Sequence, residues 1–364
     1  MRILIMADVP RDPNAGAAGT EVQTAEALRR LGHDVDEVWA PRLGRRIAHG
    51  NLHYLLELPR AYRRAMRRAA AVRRYDVIHV NQPHGYLAAR AKPPGAVVVH
   101  RSHGLELRVE RELARWRPRP RFASRVMAAL LARHSRRIAR DADGHIVSSS
   151  EDAEFLVRDL GVDARRIAVI PQAAPDLFLA TPAPPMTPQR LRRVLYVGQF
   201  AFVKAPAIVA AAMNLLARDP ALEFTWVCDR RHHADVRALT DKVQLLGWMP
   251  LERLLGVYDA HGIFLFPSFF EGFGKVFLEA MSRGLCVVAT RVGGARDVIT
   301  SGEDGLLVEP GDAGAVAAAA ESLLADPARA ASMAARAART ARAYTWERTA
   351  RETAAFYERL SSLP

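Results

Sequence analysis

Apolar residues come in short runs of four or five, separated by longer stretches with a helical period. Arg2–Met6 is the first run; Val35–Trp39, Val77–Val80, Ala96–His100, His145–Ser148 and Ile167–Ile170 follow. These runs are rich in Val and Ile and do not alternate with polar residues, the pattern of parallel strands covered on both faces. Between the first two, a helix opens at Gly19, carries Val22, Ala25, Leu28 and Leu31 at three- to four-residue spacing, and stops at Gly32. Helices joining parallel strands make βαβ crossovers.

The segment Thr181–Pro188, TPAPPMTP, breaks the alternation and reads as a linker, because proline can extend neither a ladder nor a helix interior. Beyond it the pattern restarts. Strands are expected at Val194–Val197, Glu223–Val227, Val243–Leu245, Ile263–Phe266, Val287–Ala289 and Leu306–Val308. Helices are expected near Ala205–Ala217, Leu251–Val257, Val276–Arg283 and Ala313–Ala325, and a last one over Thr345–Leu360. The expected fold class is α/β: two Rossmann-like doubly wound domains facing a central cleft, with ligands at the carboxyl ends of the strands. The first domain takes residues 1–175, the Pro-rich linker 176–191 and the second domain 192–345, with a C-terminal helix over 346–364.

Composition narrows the function classes. Two cysteines, Cys228 and Cys286, are too few and too far apart for a disulfide scaffold or a zinc site, and read as buried thiols. The apolar start, MRILIMA, is too short for a secretory leader, and no run reaches the ~20 residues a bilayer span needs. The expectation is a cytoplasmic protein, peripheral at most to the inner membrane face. The net charge of +13 comes from arginines concentrated over Arg60–Arg74 and Arg108–Arg140. They read either as ordinary surface positions or as a surface for anionic lipid or an anionic acceptor. No aromatic-and-basic alternation accompanies them, which speaks against nucleic acid.

The chemistry concentrates in Pro267–Gly284, PSFFEGFGKVFLEAMSRG. A buried strand ends at Ser268; Glu271, Gly272, Phe273 and Gly274 follow, and a helix begins near Lys275 with Glu279 one turn in. A helix N-terminus attracts phosphate, and glycines let backbone approach a ligand. Two carboxylates eight residues apart can accept hydrogen bonds from the hydroxyls of a transferred sugar and of a ribose.

This segment resembles the E-x7-E motif of the retaining GT-B glycosyltransferases of family 4 (glycosyl transferases group 1). Nearly the whole chain falls in that family's order. Ala18-Gly19-Thr20-Glu21 is similar to its N-terminal GGxE loop, Tyr75–His79 and His100–Gly104 to later strands of the first domain, and Ser148–Ser150 and Ile170-Pro171 to its VSxS and IPNG stretches. Val197-Gly198 with Lys204 is similar to the VGR-x-KG element, Val292-Gly293-Gly294 to the VGG after the second glutamate, and Thr345-Trp346-Glu347 to the SWE opening a helix that crosses back to the first domain. The resemblance implies that Glu271 and His103 face the donor sugar and that Lys204 holds the diphosphate. It implies that Glu279 takes the ribose, and that Gly19, Gly198, Gln199, Gly272, Phe273, Gly274 and Val276 line the donor.

Departures from the pattern bear on activity. Gln199 stands where the family has a diphosphate-binding Arg, which forfeits about 1.5–3 kcal/mol of charge-assisted contact; Arg11 or Arg230 is the candidate replacement. Ala18 and Ala205 stand for glycines, Gln172-Ala173 for Asn-Gly, and Cys228-Asp229-Arg230 for a Gly-x-Gly turn. The pairs Asp34/Asp36 and Asp141/Asp143 spell a metal-binding DxD but sit where ordinary loops are expected, and His232-His233 reads as a solvated loop pair with no carboxylate at hand. The expected activity is retaining, metal-independent transfer from a nucleoside-diphosphate sugar, a co-substrate rather than a cofactor, to a glycan, lipid-linked or small-molecule acceptor. Closure would limit hydrolysis. A catalytically silent nucleotide-sugar-binding module of the same fold is the alternative; a nucleotide-sugar hydrolase or 2-epimerase fits the motif less well.

Overall fold

The computed structural model describes residues 1–116 and 122–362. The stretch Arg108–Arg140 therefore lies outside the described residues at 117–121, and the C-terminal range 346–364 at its last two positions. The chain divides into two compact units: Met1–Gln172 with Trp346–Pro364, and Ala173–Thr345.

Among the described residues, the first unit holds one six-stranded parallel sheet: β1 (Arg2–Met6), β2 (Asp34–Val38), β3 (Val77–Asn81), β4 (Val97–Arg101), β5 (Gly144–Val147) and β6 (Ile167–Val169), in spatial order β2-β1-β3-β4-β5-β6. Burial explains the order. Every residue of β3 and β5 is buried, whereas β2, with the sequence DVDEV, buries one residue and sits at the edge. Connections run outward from β1 first to β2 and then to β3, so the sheet has its switch point between β1 and β3.

The helix after β1 spans Gly16–Arg30, starting one turn earlier than the pattern suggested because Gly16 to Ala18 continue it before the apolar period begins. The last helix, Trp346–Ser361, belongs to this unit and packs against it. Its Phe356 and Leu360 press on Gly144 of β5 so closely that any Cβ there would overlap them.

The second unit repeats the plan with β7 (Arg193–Val197), β8 (Glu223–Val227), β9 (Gln244–Leu246), β10 (Ile263–Phe266), β11 (Cys286–Thr290) and β12 (Leu306–Val308), again all parallel, in order β12-β11-β10-β7-β8-β9. This is the doubly wound dinucleotide-domain order, with its switch point where β7 pairs with β10. Cys228 and Cys286 are buried free thiols, and burial pushes them up to about 11 and about 12.

The Pro-rich segment folds with this second unit. Prolines leave carbonyls that no ladder can satisfy, and two buried arginines take them. Arg190 donates to the carbonyls of Pro184 and Pro185, and Arg283 to those of Phe178, Thr181 and Pro182 while pairing with Asp259. A helix at Pro327–Ala341, capped by Asp326, had no counterpart in the hydrophobic pattern; its buried face is Ala330, Met333, Ala334, Ala337 and Ala341, too weakly apolar to stand out among arginines.

Candidate functional site

In the second unit, the loops leaving β7 and β10 meet at the switch point. The amide of Phe269 bonds to the carbonyl of Val203 (2.9 Å), stitching the loop that carries Lys204 to the loop that carries Glu271. Lys204 Nζ lies 2.6 and 2.8 Å from the two carboxylate oxygens of Glu271, and Ser268 Oγ donates to Oε1 at 2.7 Å. Thr290 at the end of β11 donates to the carbonyl of Ser268 (2.6 Å) and holds the turn. The Glu271 side chain is nearly buried while Lys204 keeps about a quarter of its surface, 23%. Partial burial makes this pair firmer than a surface ion pair.

The helix Lys275–Ser282 begins just after the loop. Gly274 precedes it at φ +92° and, being glycine, brings no capping side chain of its own. The N-terminal end of a helix and its dipole favour an anion. Gly293 and Gly294 explain why the loop can lie where it does: a Cβ on Gly293 would sit 2.4 Å from the Glu271 carbonyl, and one on Gly294 2.3 Å from the Phe273 ring. Phe273 itself is buried and packs on Phe277, so it offers a ligand only its backbone. Gly272 is buried and Val276 half-buried. Glu279 is buried in the helix. Burial pushes its carboxyl up, and Lys275 and the Tyr258 hydroxyl, donating at 2.9 Å, pull it back. Gly198 is buried under Tyr196, whose hydroxyl leaves no room for a Cβ; Gln199 next to it is exposed.

In the first unit, Gly19 is buried in the first helix, one residue from Thr20 and two from Glu21. His103, in the loop after β4, places Nε2 2.8 Å from Glu21 Oε1. Glu21 also lies 3.1 Å from His79 of β3, and His79 Nδ1 is 2.6 Å from the Tyr357 hydroxyl of the last helix. At the switch point, Gln82 holds φ +110°, a strained value that concentrates at functional sites. The Oδ1 of Asp8 and the Nδ2 of Asn81 are buried there without partners. Burial raises Asp8 to about 6 and Glu106 to about 7, the latter also through repulsion from Asp8 and Asp152.

Sequence reasoning named Glu271, Glu279 and Lys204 but missed Ser268, Tyr258, Tyr357, Asp8 and Asn81. Nothing in a lone Tyr or Ser marks it; the motif glutamates needing donors were the only available hint. Arg11 is committed to Glu26 and Glu37, whereas Arg230 rests over Gly247 in the second unit. Asp34 and Asp36 lie in edge strand β2, not in a loop, because the backbone there pairs with β1, and Arg73 pairs with both side chains; Asp143 pairs with Lys92. His232 does have a carboxylate at hand: its Nδ1 is 2.8 Å from Asp235, one helical turn on, and its ring stacks on Phe200.

Two family models match the chain: Glycosyltransferase Family 4 over residues 16–174 and Glycosyl transferases group 1 over residues 192–326. The D-inositol 3-phosphate glycosyltransferase of Rhodococcus opacus is 32% identical over 58% of the chain and 52% of its own length. The protein of that description from Geodermatophilus obscurus is 32% identical over 78% and 66%. The aligned chain thus spans between about half and two thirds of these relatives. Among solved structures, sucrose-phosphate synthase from Thermosynechococcus elongatus superposes with a TM-score of 0.77 at 26% identity over 99% of both chains. Anabaena HepE in complex with UDP-glucose gives 0.69 at 19% identity over 100% of both, a likeness of fold.

Proposed function

The chain belongs to the family 4, group 1 glycosyltransferases of the GT-B fold, and from that premise we propose that it is a retaining transferase using a nucleoside-diphosphate sugar. The observation that carries this reading is the Lys204–Glu271 contact at the β7/β10 switch point, beside the N-terminus of the helix Lys275–Ser282.

In this reading, the diphosphate lies against that helix end and the backbone of Gly272–Gly274 and Val276, with Gly198 and Gln199 flanking it. Lys204 stabilises the charge that grows on the departing phosphate, so the fixed positive charge comes from the protein's own groups and no metal is called for. Glu271 holds the sugar and Glu279 the ribose hydroxyls, and by the family resemblance His103 and Gly19 are donor residues as well. The bond from C1 to the diphosphate oxygen breaks as the acceptor oxygen bonds C1 on the same face. The acceptor proton passes to the departing phosphate oxygen, so no side chain need act as base. Gln199 weakens the diphosphate site without removing it, since Lys204 and the helix end persist. The named relatives point to a polyol or sugar as acceptor class, taken up by the first unit. Its arginine face suits peripheral contact with anionic lipid at the inner side of the membrane.

A thermal-shift screen of UDP, GDP, ADP and TDP sugars identifies the donor. With that donor, Glu271→Ala is expected to lower kcat by about 10²–10³-fold, and NMR of the product to show the donor's anomeric configuration. Parental turnover in the variant, or an inverted centre, sinks the reading.

A further inference from the structure

Glu21 is fully buried in the middle of the first unit, yet the alignment of chemistry around it is that of a charged acceptor. Its two oxygens face two imidazole nitrogens, Nε2 of His103 at 2.8 Å and Nε2 of His79 at 3.1 Å. Only the first of these is a well-formed hydrogen bond. Burial alone would raise its carboxyl, but His79 and His103 hold it well below the usual carboxylate range. An ionised carboxylate only accepts, so the nitrogen of His103 that meets it carries the proton. Burial and the buried guanidinium of Arg101 meanwhile lower the basicity of the His103 ring, and Glu21 only partly opposes them. A neutral ring with its proton on Nε2 has a bare lone pair on Nδ1. That Nδ1 is buried and has no hydrogen-bond partner.

The support behind Glu21 has the same polarity. Tyr357 OH is 2.6 Å from His79 Nδ1. With that hydroxyl donating, His79 carries its proton on Nε2, toward Glu21. The chain Tyr357, His79, Glu21, His103 thus runs from the last helix through β3 and the first helix to the loop after β4.

We propose that Glu21 is a positioning residue that fixes His103 as the Nε2–H tautomer, so that its Nδ1 accepts a hydrogen bond from a ligand hydroxyl and is mismatched to a phosphate oxygen. This rests on the reading of His103 as a donor-sugar residue and adds which ring nitrogen meets the sugar and in which protonation form.

The test uses the full-length protein in two measurements. In long-range ¹H–¹⁵N spectra of ¹⁵N-histidine-labelled protein at pH 7.5, assigned with His103→Gln, His103 is expected to show a protonated Nε2 and an unprotonated Nδ1. A proton on Nδ1 overturns the proposal whatever the enzyme's activity. In isothermal titration, Glu21→Gln is expected to weaken UDP-glucose by about five-fold or more and UDP by less than two-fold, the scale of one hydrogen bond; the GDP pair serves if the parent protein does not bind the UDP pair. Equal weakening of both ligands overturns the hydroxyl assignment, and no weakening of either overturns the positioning role. Should Glu21→Gln fail to fold by circular dichroism, Tyr357→Phe replaces it: it keeps the ring and removes the donor to His79, and is expected to populate the second His103 tautomer. If the parent protein binds no nucleotide sugar, the proposed function fails, while the spectrum still reads the tautomer.

Discussion

Ala205 holds φ at +50° as the residue that leads into the helix Pro206–Leu216. A Cβ in the left-handed region costs about 1–2 kcal/mol, and glycine does not bear that cost. Ala205→Gly is therefore expected to stabilise the protein by about 1 kcal/mol, net of the freer unfolded chain, and to raise Tm by about 2–4 °C in differential scanning calorimetry. Glu106 shows the opposite kind of residue-level tension. Burial, and after it the carboxylates of Asp8 and Asp152, raise it from the ordinary 4.5 to about 7. The folded state then binds more protons than the unfolded one between those values. Its contribution is fully favourable below about pH 4.5 and is lost as pH rises through about 7. Glu106→Gln should be more stable than the parent at pH 8, by about 2 kcal/mol, and equal to it near pH 4. Urea melts at the two pH values check the difference.

At the scale of elements, most of the strands could be read from runs of Val and Ile, because strands buried on both faces carry no competing polar pattern. In the E-x7-E loop the glutamates were readable from the family resemblance, and Gly274, Gly293 and Gly294 are required by local geometry, through overlaps shorter than 3 Å. Strand order was not readable, since βαβ units of similar composition can be laid down on either side of β1 or β7. Nor was the contact of Tyr357 with His79, which joins residues far apart in the chain. The Pro-rich stretch was the plainest misfit between pattern and packing. Residues that look like a tether are bound by Arg190 and Arg283 because proline frees carbonyls for side-chain donors. Arg283→Met should cost about 3–5 kcal/mol, since Asp259 and the strap carbonyls lose their partner. Thermal unfolding followed by circular dichroism reads it as a fall in Tm of several degrees or more.

On the scale of the whole molecule, charge and apolar surface coincide. The helix Leu58–Val72 buries Leu58, Ala61, Tyr62 and Met66 and turns Arg60, Arg64, Arg67 and Arg68 outward, and Leu52, Tyr54 and Leu56 just before it are exposed. Among the described residues, no helix is long and apolar enough to cross a membrane. Arginines near an anionic surface are each worth about 1 kcal/mol. The protein is expected to float with vesicles containing phosphatidylglycerol and to stay behind with pure phosphatidylcholine. Reversing Arg64, Arg67 and Arg68 to Glu should abolish flotation without shifting Tm by more than a degree or two.

The chain enters the first unit, leaves it at Gln172 and returns only at Trp346. During synthesis, β5 must therefore wait with Gly144 uncovered, and His79 without Tyr357, while the entire second unit emerges from the ribosome and folds. The half that is translated first is completed last, so a ribosome that stalls before Trp346 leaves an unfinished beginning rather than only a missing tail.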